Sequence, residues 1–324
     1  MMDGVTTLAD DFAARAGPYR YELVAHCYRL LGSVHEAEDL VQETMLRAWR
    51  ARDSYDEGRA SLRTWLYKIA TNACLTALEG RARRPLPTGL VAPSDDPQAP
   101  LVPSFDIPWL QPFPDDPAAL TVRRGSLRLA FVAALQGLPP KQCAALILRD
   151  VLDFSAAEVA DLLDTSVPAV NSALQRARAA TAVESEVVEP DEQAARAMVD
   201  RYVAAFEAAD VDTLVTLLTE DAVLEMPPVP LWYRGRVNYG RFIARAFALR
   251  GTDWKMVDTV ANGQPAAVAY CRGDDGAYHL HTLQVFTVTT AGIAHTVVFQ
   301  DPAVFAAFHL PAVSGPGDRL RRTG

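Results

Sequence analysis

The sequence predicts a multidomain protein: two all-α domains, the second with a helix-turn-helix, followed by an α+β domain. Three observations predict it. Residues 9–84 and 119–182 keep apolar side chains at helical spacing throughout. Residues 85–118, between them, hold 10 of the 22 prolines, which no helix or central strand tolerates. Residues 190–310 open with a helical run, Glu192 to Ala209, and then change period. β-branched alternation recurs at Val223–Met226, Met256–Val260, Ala266–Cys271, His279–Thr289 and Ile293–Phe299. A chain of 324 residues has room for about two domains and a linker.

Composition narrows the class. Half of the residues are hydrophobic and 22% are charged, which is globular. No apolar run approaches the roughly 18 residues of a membrane span. Met1-Met2-Asp3-Gly4 carries an acid where a signal peptide carries Lys or Arg, so a cytoplasmic protein is expected. Cys27, Cys74, Cys143 and Cys271 are scattered singly, which argues against a disulfide framework and a structural zinc site. The net charge is −9, unpromising for a free-standing nucleic-acid binder. Charge is segregated, however. Residues 59–84 hold six basic side chains and one acid, whereas residues 85–118 hold five aspartates and no cation.

In the first helical piece, Ser33 and Glu36 have capping-box spacing. The helix they open places Ala37, Leu40, Val41, Thr44 and Ala48 on one face and Asp39, Gln42, Glu43, Leu46 and Arg50 on the other. The next helix starts near Ser61, with Leu62, Trp65, Leu66, Ile69 and Ala73 as its apolar stripe. Thr64, Tyr67, Lys68, Thr71 and Asn72 share the other side, offering a stacking ring, a cation and an amide. Either face also reads as a merely solvated one. Arg81, Arg83 and Arg84 extend the basic character.

Residues 85–118 read as an extended acidic linker. Trp109 and Phe113 have little use in solvated coil and are expected to dock on a neighbouring domain. In the second helical piece, Ser155 and Glu158 form another capping box and Asp164-Thr165 a tight turn. Ser166 caps a longer helix with Pro168 in its first turn. Val170, Leu174 and Ala177 line its inner side, and Ser172, Gln175, Arg176 and Arg178 face outward. This is a helix-turn-helix layout.

In order and spacing these motifs resemble the extracytoplasmic-function sigma factors of bacterial RNA polymerase. Ala37-Glu38-Asp39-Leu40-Val41-Gln42-Glu43-Thr44 is similar to the family's polymerase-binding helix, and Ser61 through Asn72 to its promoter −10 segment. Leu138-Pro139-Pro140-Lys141-Gln142 and Ser166 to Arg178 are similar to its −35-binding module. The resemblance implies RNA polymerase core and promoter DNA as partners. Asp39, Gln42, Glu43 and Leu46 would meet the clamp helices of the largest subunit. Tyr67, Lys68, Thr71 and Asn72 would serve the −10 element, and Ser172, Gln175, Arg176 and Arg178 the −35 element. Asp164 stands where the family usually has Gly, and Asn171, Ala173 and Cys143 where cations are common. Fewer cations imply weak autonomous DNA binding.

Residues 190–310 resemble the SnoaL-like, ketosteroid-isomerase-like α+β cone, through Tyr202, Val203 and Phe206, Leu217 to Val223, and Trp232 to Arg236. Some sigma factors carry such a domain, often without needing a separate anti-sigma partner. Asp221, Tyr233, His279 and His281 are candidate cavity residues; His295 and Asp301 are further titratable groups. His279 and His281 alternate along one strand and so share a face. No acid–base pair, metal site or cofactor follows from their spacing, and none is expected. The expected protein is therefore a sigma factor regulated in cis by its last domain, not an enzyme and not membrane-bound. Two other functions fit parts of the chain. A one-component ligand-sensing regulator has no use for the polymerase-type helix, and an isomerase or cyclase leaves the promoter motifs unexplained.

Overall fold

A computed structural model describes residues 12–115, 124–181 and 190–314, which fall into two compact units. The first contains both helical pieces; the second contains the linker from Pro85 to Asp115 together with the C-terminal domain. Of the expected boundaries, residues 9–11, 116–119 and 182 lie outside the described residues.

In the first unit, α1 (Arg20–Leu31), α2 (Val34–Ala51) and α3 (Leu62–Ala77) form one half. The other half contains α4 (Leu129–Gln136), α5 (Pro140–Leu146), α6 (Ala156–Leu162) and α7 (Val167–Thr181), with α5 continuing into a wider π-helical turn, Ile147–Val151. α1 ends at Gly32, whose φ of 67° is a left-handed stop that suits glycine. The halves share a polar seam. Arg29 of α1, only 1% exposed, donates through Nη2 to Ser126 Oγ (2.8 Å) and through Nε to Ser126 O (3.2 Å). Burial lowers the Arg29 pKa to about 10. The Gln136 side-chain amide donates to Arg29 O at 3.3 Å.

The second unit is built on a mixed sheet in the order β2-β1-β6-β5-β4-β3. The strands are β1 (Leu218–Glu225), β2 (Trp232–Arg234), β3 (Trp254–Ala261), β4 (Gln264–Arg272), β5 (Tyr278–Thr289) and β6 (Gly292–Phe299), with a short β7 (Val313–Ser314) pairing β5. β1 and β6 run parallel; the other pairs are antiparallel. Asn262 and Gly263, both at positive φ, make the tight β3–β4 hairpin. α8 (Glu192–Glu207), α9 (Val211–Thr216) and α10 (Arg236–Arg250) complete the domain with α11 (Pro302–Ala307). Tyr202 and Phe206 of α8 pack edge-on against Phe286, Phe247 and Trp254, with ring centroids 4.9–5.4 Å apart. Gly240 lets α10 approach α9: a Cβ there would lie 2.5 Å from Val215 Cγ2.

The linker is part of this unit's structure. Trp109 and Phe113 are buried. Phe113 N donates to Asn262 Oδ1 (2.8 Å), and Asn262 N donates back to Phe113 O (2.9 Å). Gly263 N donates to Asp115 Oδ2 (2.7 Å) and Thr88 N to the buried Glu225 (2.7 Å). These bonds satisfy backbone groups that a proline-rich coil cannot pair within itself.

Candidate functional site

The α2 surface is built from its cap outward. Ser33 Oγ accepts from Glu36 N. The Glu36 carboxylate forms ion pairs with Arg81 Nη1 (2.7 Å) and Arg84 Nη2 (2.9 Å). Two arginines that the sequence assigns to a basic surface thus share one carboxylate at the start of α2, leaving one positive charge uncompensated there. The helix buries Val34, Ala37, Val41, Thr44 and Ala48, as its periodicity predicts, but leaves Leu40 half-buried. Asp39, Gln42 and Leu46 are exposed; Glu43 is half-buried and accepts from Arg47 at 2.7 Å. Trp49, which the sequence analysis passed over, extends this face. Leu46 and Trp49 are each 40% exposed and lie three residues apart, an apolar patch beside an acid and an amide.

α3 departs from expectation. It buries Leu62, Leu66, Ala70 and Ala73, but also Tyr67 and Thr71, while Trp65 and Ile69 stay half-exposed. The outward placement of Tyr67 and Thr71 is therefore corrected. Thr71 Oγ1 lies 2.9 Å from Nε2 of the buried His26. The Tyr67 ring packs edge-on between His26 (5.0 Å) and Phe154 of the second half (5.4 Å). Burial raises the Tyr67 pKa. Arg63 sits over the same Phe154 ring at 4.8 Å. Lys68 Nζ donates to Asp161 O (2.8 Å) and Asp164 Oδ1 (3.0 Å). Asn72 is half-buried. Trp65, stacked on Tyr55 at 4.9 Å, is the aromatic ring that α3 keeps near its surface.

In the helix-turn-helix, the Ser155–Glu158 box is complete: Glu158 N donates to Ser155 Oγ (3.2 Å) and Ser155 N to Glu158 Oε2 (2.7 Å). Those hydrogen bonds hold the Glu158 carboxyl below its ordinary range. Asp164 takes φ 47°, so the turn forms without glycine. Ser166 Oγ caps α7 at Ala169 N (3.4 Å). Val170, Leu174 and Ala177 are buried, and Ser172, Gln175 and Arg176 are exposed. Arg178 grips Asp150 through Nε (2.8 Å) and Nη2 (2.6 Å), so its cation is already compensated within the unit. Cys143 is buried, with its thiol pushed up to about 12 by desolvation; a cation at that position would lie in the core.

The C-terminal unit holds a cavity of about 220 Å³ between α8, α10 and the sheet. Of the four residues proposed for it, His281 lines it and three do not. Asp221 is exposed beside Thr219; His279 is exposed and pairs with Asp275 at 2.9 Å. Tyr233 is buried, but its hydroxyl donates to Asp96 O of the linker at 3.1 Å. A β-bulge explains part of the difference. On β5, Leu280 and Thr282 pair with consecutive residues of β4, leaving His281 as the extra one. His281 and its neighbour Thr282 both line the cavity, which strict alternation forbids. His295 pairs with Glu225 at 2.8 Å, and Asp301 caps α11. Among the described residues no group of three His, Cys, Asp or Glu side chains could hold a metal ion. No described helix is long and apolar enough to cross a membrane.

Residues 17–84 match the sigma-70 region 2 family, residues 128–180 the sigma-70 region 4 family, and residues 199–305 the SnoaL-like domain family. The ECF RNA polymerase sigma factor SigG of Mycobacterium tuberculosis is 49% identical over 314 residues, spanning 93% of this chain and 84% of SigG. SigJ of the same organism, also an ECF RNA polymerase sigma factor, is 35% identical over 236 residues, spanning 72% of this chain and 67% of SigJ. The crystal structure of SigJ superposes on this chain with a TM-score of 0.66 at 26% identity, covering 93% of this chain and 99% of SigJ. With both promoter-reading regions and the C-terminal cone in place, this chain belongs to the extracytoplasmic-function RNA polymerase sigma factors, which bind polymerase core and promoter DNA to initiate transcription.

Proposed function

We propose that the C-terminal domain regulates this sigma factor in cis by holding the linker between its two promoter-reading regions. The observation that carries the reading is the linker's set of partners. Trp232 Nε1 donates to Val91 O (2.8 Å), Asn238 Nδ2 to Asp95 Oδ1 (3.1 Å), and Asn262 brackets Phe113 from both sides. A tether docked along its length cannot extend freely, and promoters demand one spacing of the −10 and −35 contacts. Releasing the linker should therefore favour initiation. No separate anti-sigma factor is required by this arrangement.

Within that scheme Asp39, Gln42, Glu43 and Leu46, joined by Trp49, meet the polymerase. Ser172, Gln175 and Arg176 read the −35 element, and Arg178 positions α7 through Asp150. Lys68 and Asn72 serve the −10 element, with Tyr67 and Thr71 reachable only once α3 parts from Phe154. The cone binds and does not catalyse. No Asp or Glu lines its cavity to act as a carboxylate base, and burial beside Arg250 lowers the His281 pKa to about 4, so its ring is neutral and offers no charged acid near neutrality. The protein works in the cytoplasm, where core polymerase is.

Run-off transcription with core polymerase tests the regulation. The full chain carrying Trp232→Phe and Asn262→Gly, which remove side-chain bonds to the linker while keeping the positive φ of the hairpin, should bind core as before and initiate faster. Equal initiation by wild type and variant, with hydrogen exchange showing the linker released, would refute cis control through the linker.

A further inference from the structure

Of the four asparagines, Asn72, Asn171, Asn238 and Asn262, only Asn262 precedes a glycine. In an Asn-Gly pair no Cβ on the second residue shields its main-chain nitrogen. That nitrogen can therefore reach the side-chain amide carbon and close a five-membered imide, the first step of deamidation. The fold sets this pair at a two-residue hairpin loop between the paired Ala261 and Gln264, with both residues at positive φ. Loop tips of this kind belong on the surface. Asn262 is instead fully buried.

Residues 113–115 of the linker run beside the loop and occupy the groups that cyclisation needs. Pro114 bridges Ala261. Asn262 Oδ1 accepts from Phe113 N (2.8 Å), and Asn262 N donates to Phe113 O (2.9 Å). Gly263 N donates to Asp115 Oδ2 (2.7 Å). The target carbonyl and the attacking nitrogen are thus held by different linker residues. The nitrogen must also lose its proton, and the Asp115 carboxylate opposes an anion beside it.

We infer that Asn262–Gly263 is a deamidation site guarded by the docked linker, and that its modification opposes redocking. Once residues 113–115 leave, solvent base takes the Gly263 N–H proton and the nitrogen bonds to Asn262 Cγ. The side-chain nitrogen departs as ammonia, taking a proton from water. Water then opens the imide at either carbonyl, leaving an aspartate or an isoaspartate at position 262. Isoaspartate lengthens the main chain by a methylene in a loop of two residues, which shifts the hairpin. Aspartate places a second carboxylate beside Asp115, in a buried position. The inference goes beyond cis control, because modification and linker release are both read on the protein alone, without transcription.

The test follows deamidation at Asn262 by peptide mass spectrometry, in the full chain at mildly alkaline pH and in a synthetic peptide of residues 257–268. Wild type should react at least about tenfold more slowly than the peptide, since it reacts only through its open fraction. Phe113→Ala, which removes a buried ring from the guarding segment, should speed the reaction by about tenfold or more. Asp115→Ala, which removes the bond and the charge at Gly263 N, should speed it several-fold. In all three chains the rate should follow amide exchange at Gly263. Deamidated wild type, separated by anion exchange through its added charge, should have lost exchange protection across residues 109–115. Four results overturn the inference: wild type reacting as fast as the peptide, no acceleration in either variant, rates that do not follow Gly263 exchange, or a deamidated fraction that keeps its linker protection.

Discussion

α2 and α3 belong to the same helical half, yet their polar faces meet different surroundings. On α2, Asp39, Gln42, Leu46 and Trp49 are exposed. On α3, Tyr67 lies under Phe154, and Lys68 is held by Asp161 O and Asp164. The covering residues come from the helix-turn-helix half of the same unit. The surface proposed to meet polymerase is thus open, while the surface proposed to meet the −10 element is covered by the part proposed to meet the −35 element. On that proposal the arrangement favours polymerase first and promoter second. It also supplies a physical reason to expect weak DNA binding by the free chain, beyond its net charge of −9.

The largest effect expected concerns the floor beneath α3. His26 is fully buried against Thr71 and Tyr67, and burial, with Arg29 and Arg63 nearby, lowers its pKa to about 3. The unfolded chain takes up a proton near pH 6.5, whereas the folded chain takes it up only near 3. The stability is therefore full above pH 6.5 and is lost progressively as pH falls towards 3, by on the order of 4 kcal/mol in all. Between pH 7 and 5, denaturant unfolding of wild type should lose about 2 kcal/mol through this group. His26→Leu should be less stable at pH 7, because Thr71 loses its partner, but should show a flatter pH dependence. An unchanged slope would mean that another group sets the acid limit of α3.

A middle-sized effect comes from the cover itself. Phe154→Ala removes an edge-on ring contact with Tyr67 and a cation–π contact with Arg63, together about 2 kcal/mol. Amide exchange in residues 62–77 should then speed by roughly tenfold or more, with residues 34–51 unchanged, and the free chain should gain affinity for single-stranded −10 DNA. If both segments speed equally, the substitution has loosened the half as a whole and the contrast between the two helices fails.

What was legible in the sequence was local. Ser33, Ser155 and Ser166 cap their helices because a cap needs only residues three positions on. The change of period after residue 190 located the sheet, and the helix-turn-helix was read from its caps and turn. Trp109 and Phe113 announced that the linker docks, since rings of that size are seldom left in solvent. What stayed hidden was the partner of each polar group. Tyr67 and Thr71 have the chemistry of a nucleic-acid face, and only Phe154 and His26, remote in sequence, turn them inward. Arg81 and Arg84 are basic in composition but share the Glu36 carboxylate, which offsets one of their two charges, and Arg178 is paired by Asp150. In the cone, an extra residue on β5 added Thr282 to the cavity beside His281, which no alternation pattern foretells.

The smallest effect tests whether charge helps to cover α3. Lys68 and Asp164 form an ion pair at 3.0 Å with side chains 42% and 73% exposed. Pairs this open contribute between about 0 and 1 kcal/mol and are screened by salt. Lys68 also keeps its bond to Asp161 O, so removing the carboxylate does not free the ammonium completely. Asp164→Asn is the suitable change, because asparagine tolerates the positive φ of 47° and preserves the turn before α7. Exchange in residues 62–77 should rise by at most about fivefold at low salt. Wild type should approach the variant as salt is raised, since screening weakens the pair in one and finds no pair to weaken in the other. α2, whose pairs Glu36–Arg81, Glu36–Arg84 and Glu43–Arg47 lie within its own half, should ignore the substitution and respond to salt equally in wild type and variant. Salt that loosens α2 and α3 alike would show that general screening, and not the Lys68–Asp164 pair, sets the response. The cover would then rest on Phe154 and the Asp161 carbonyl alone.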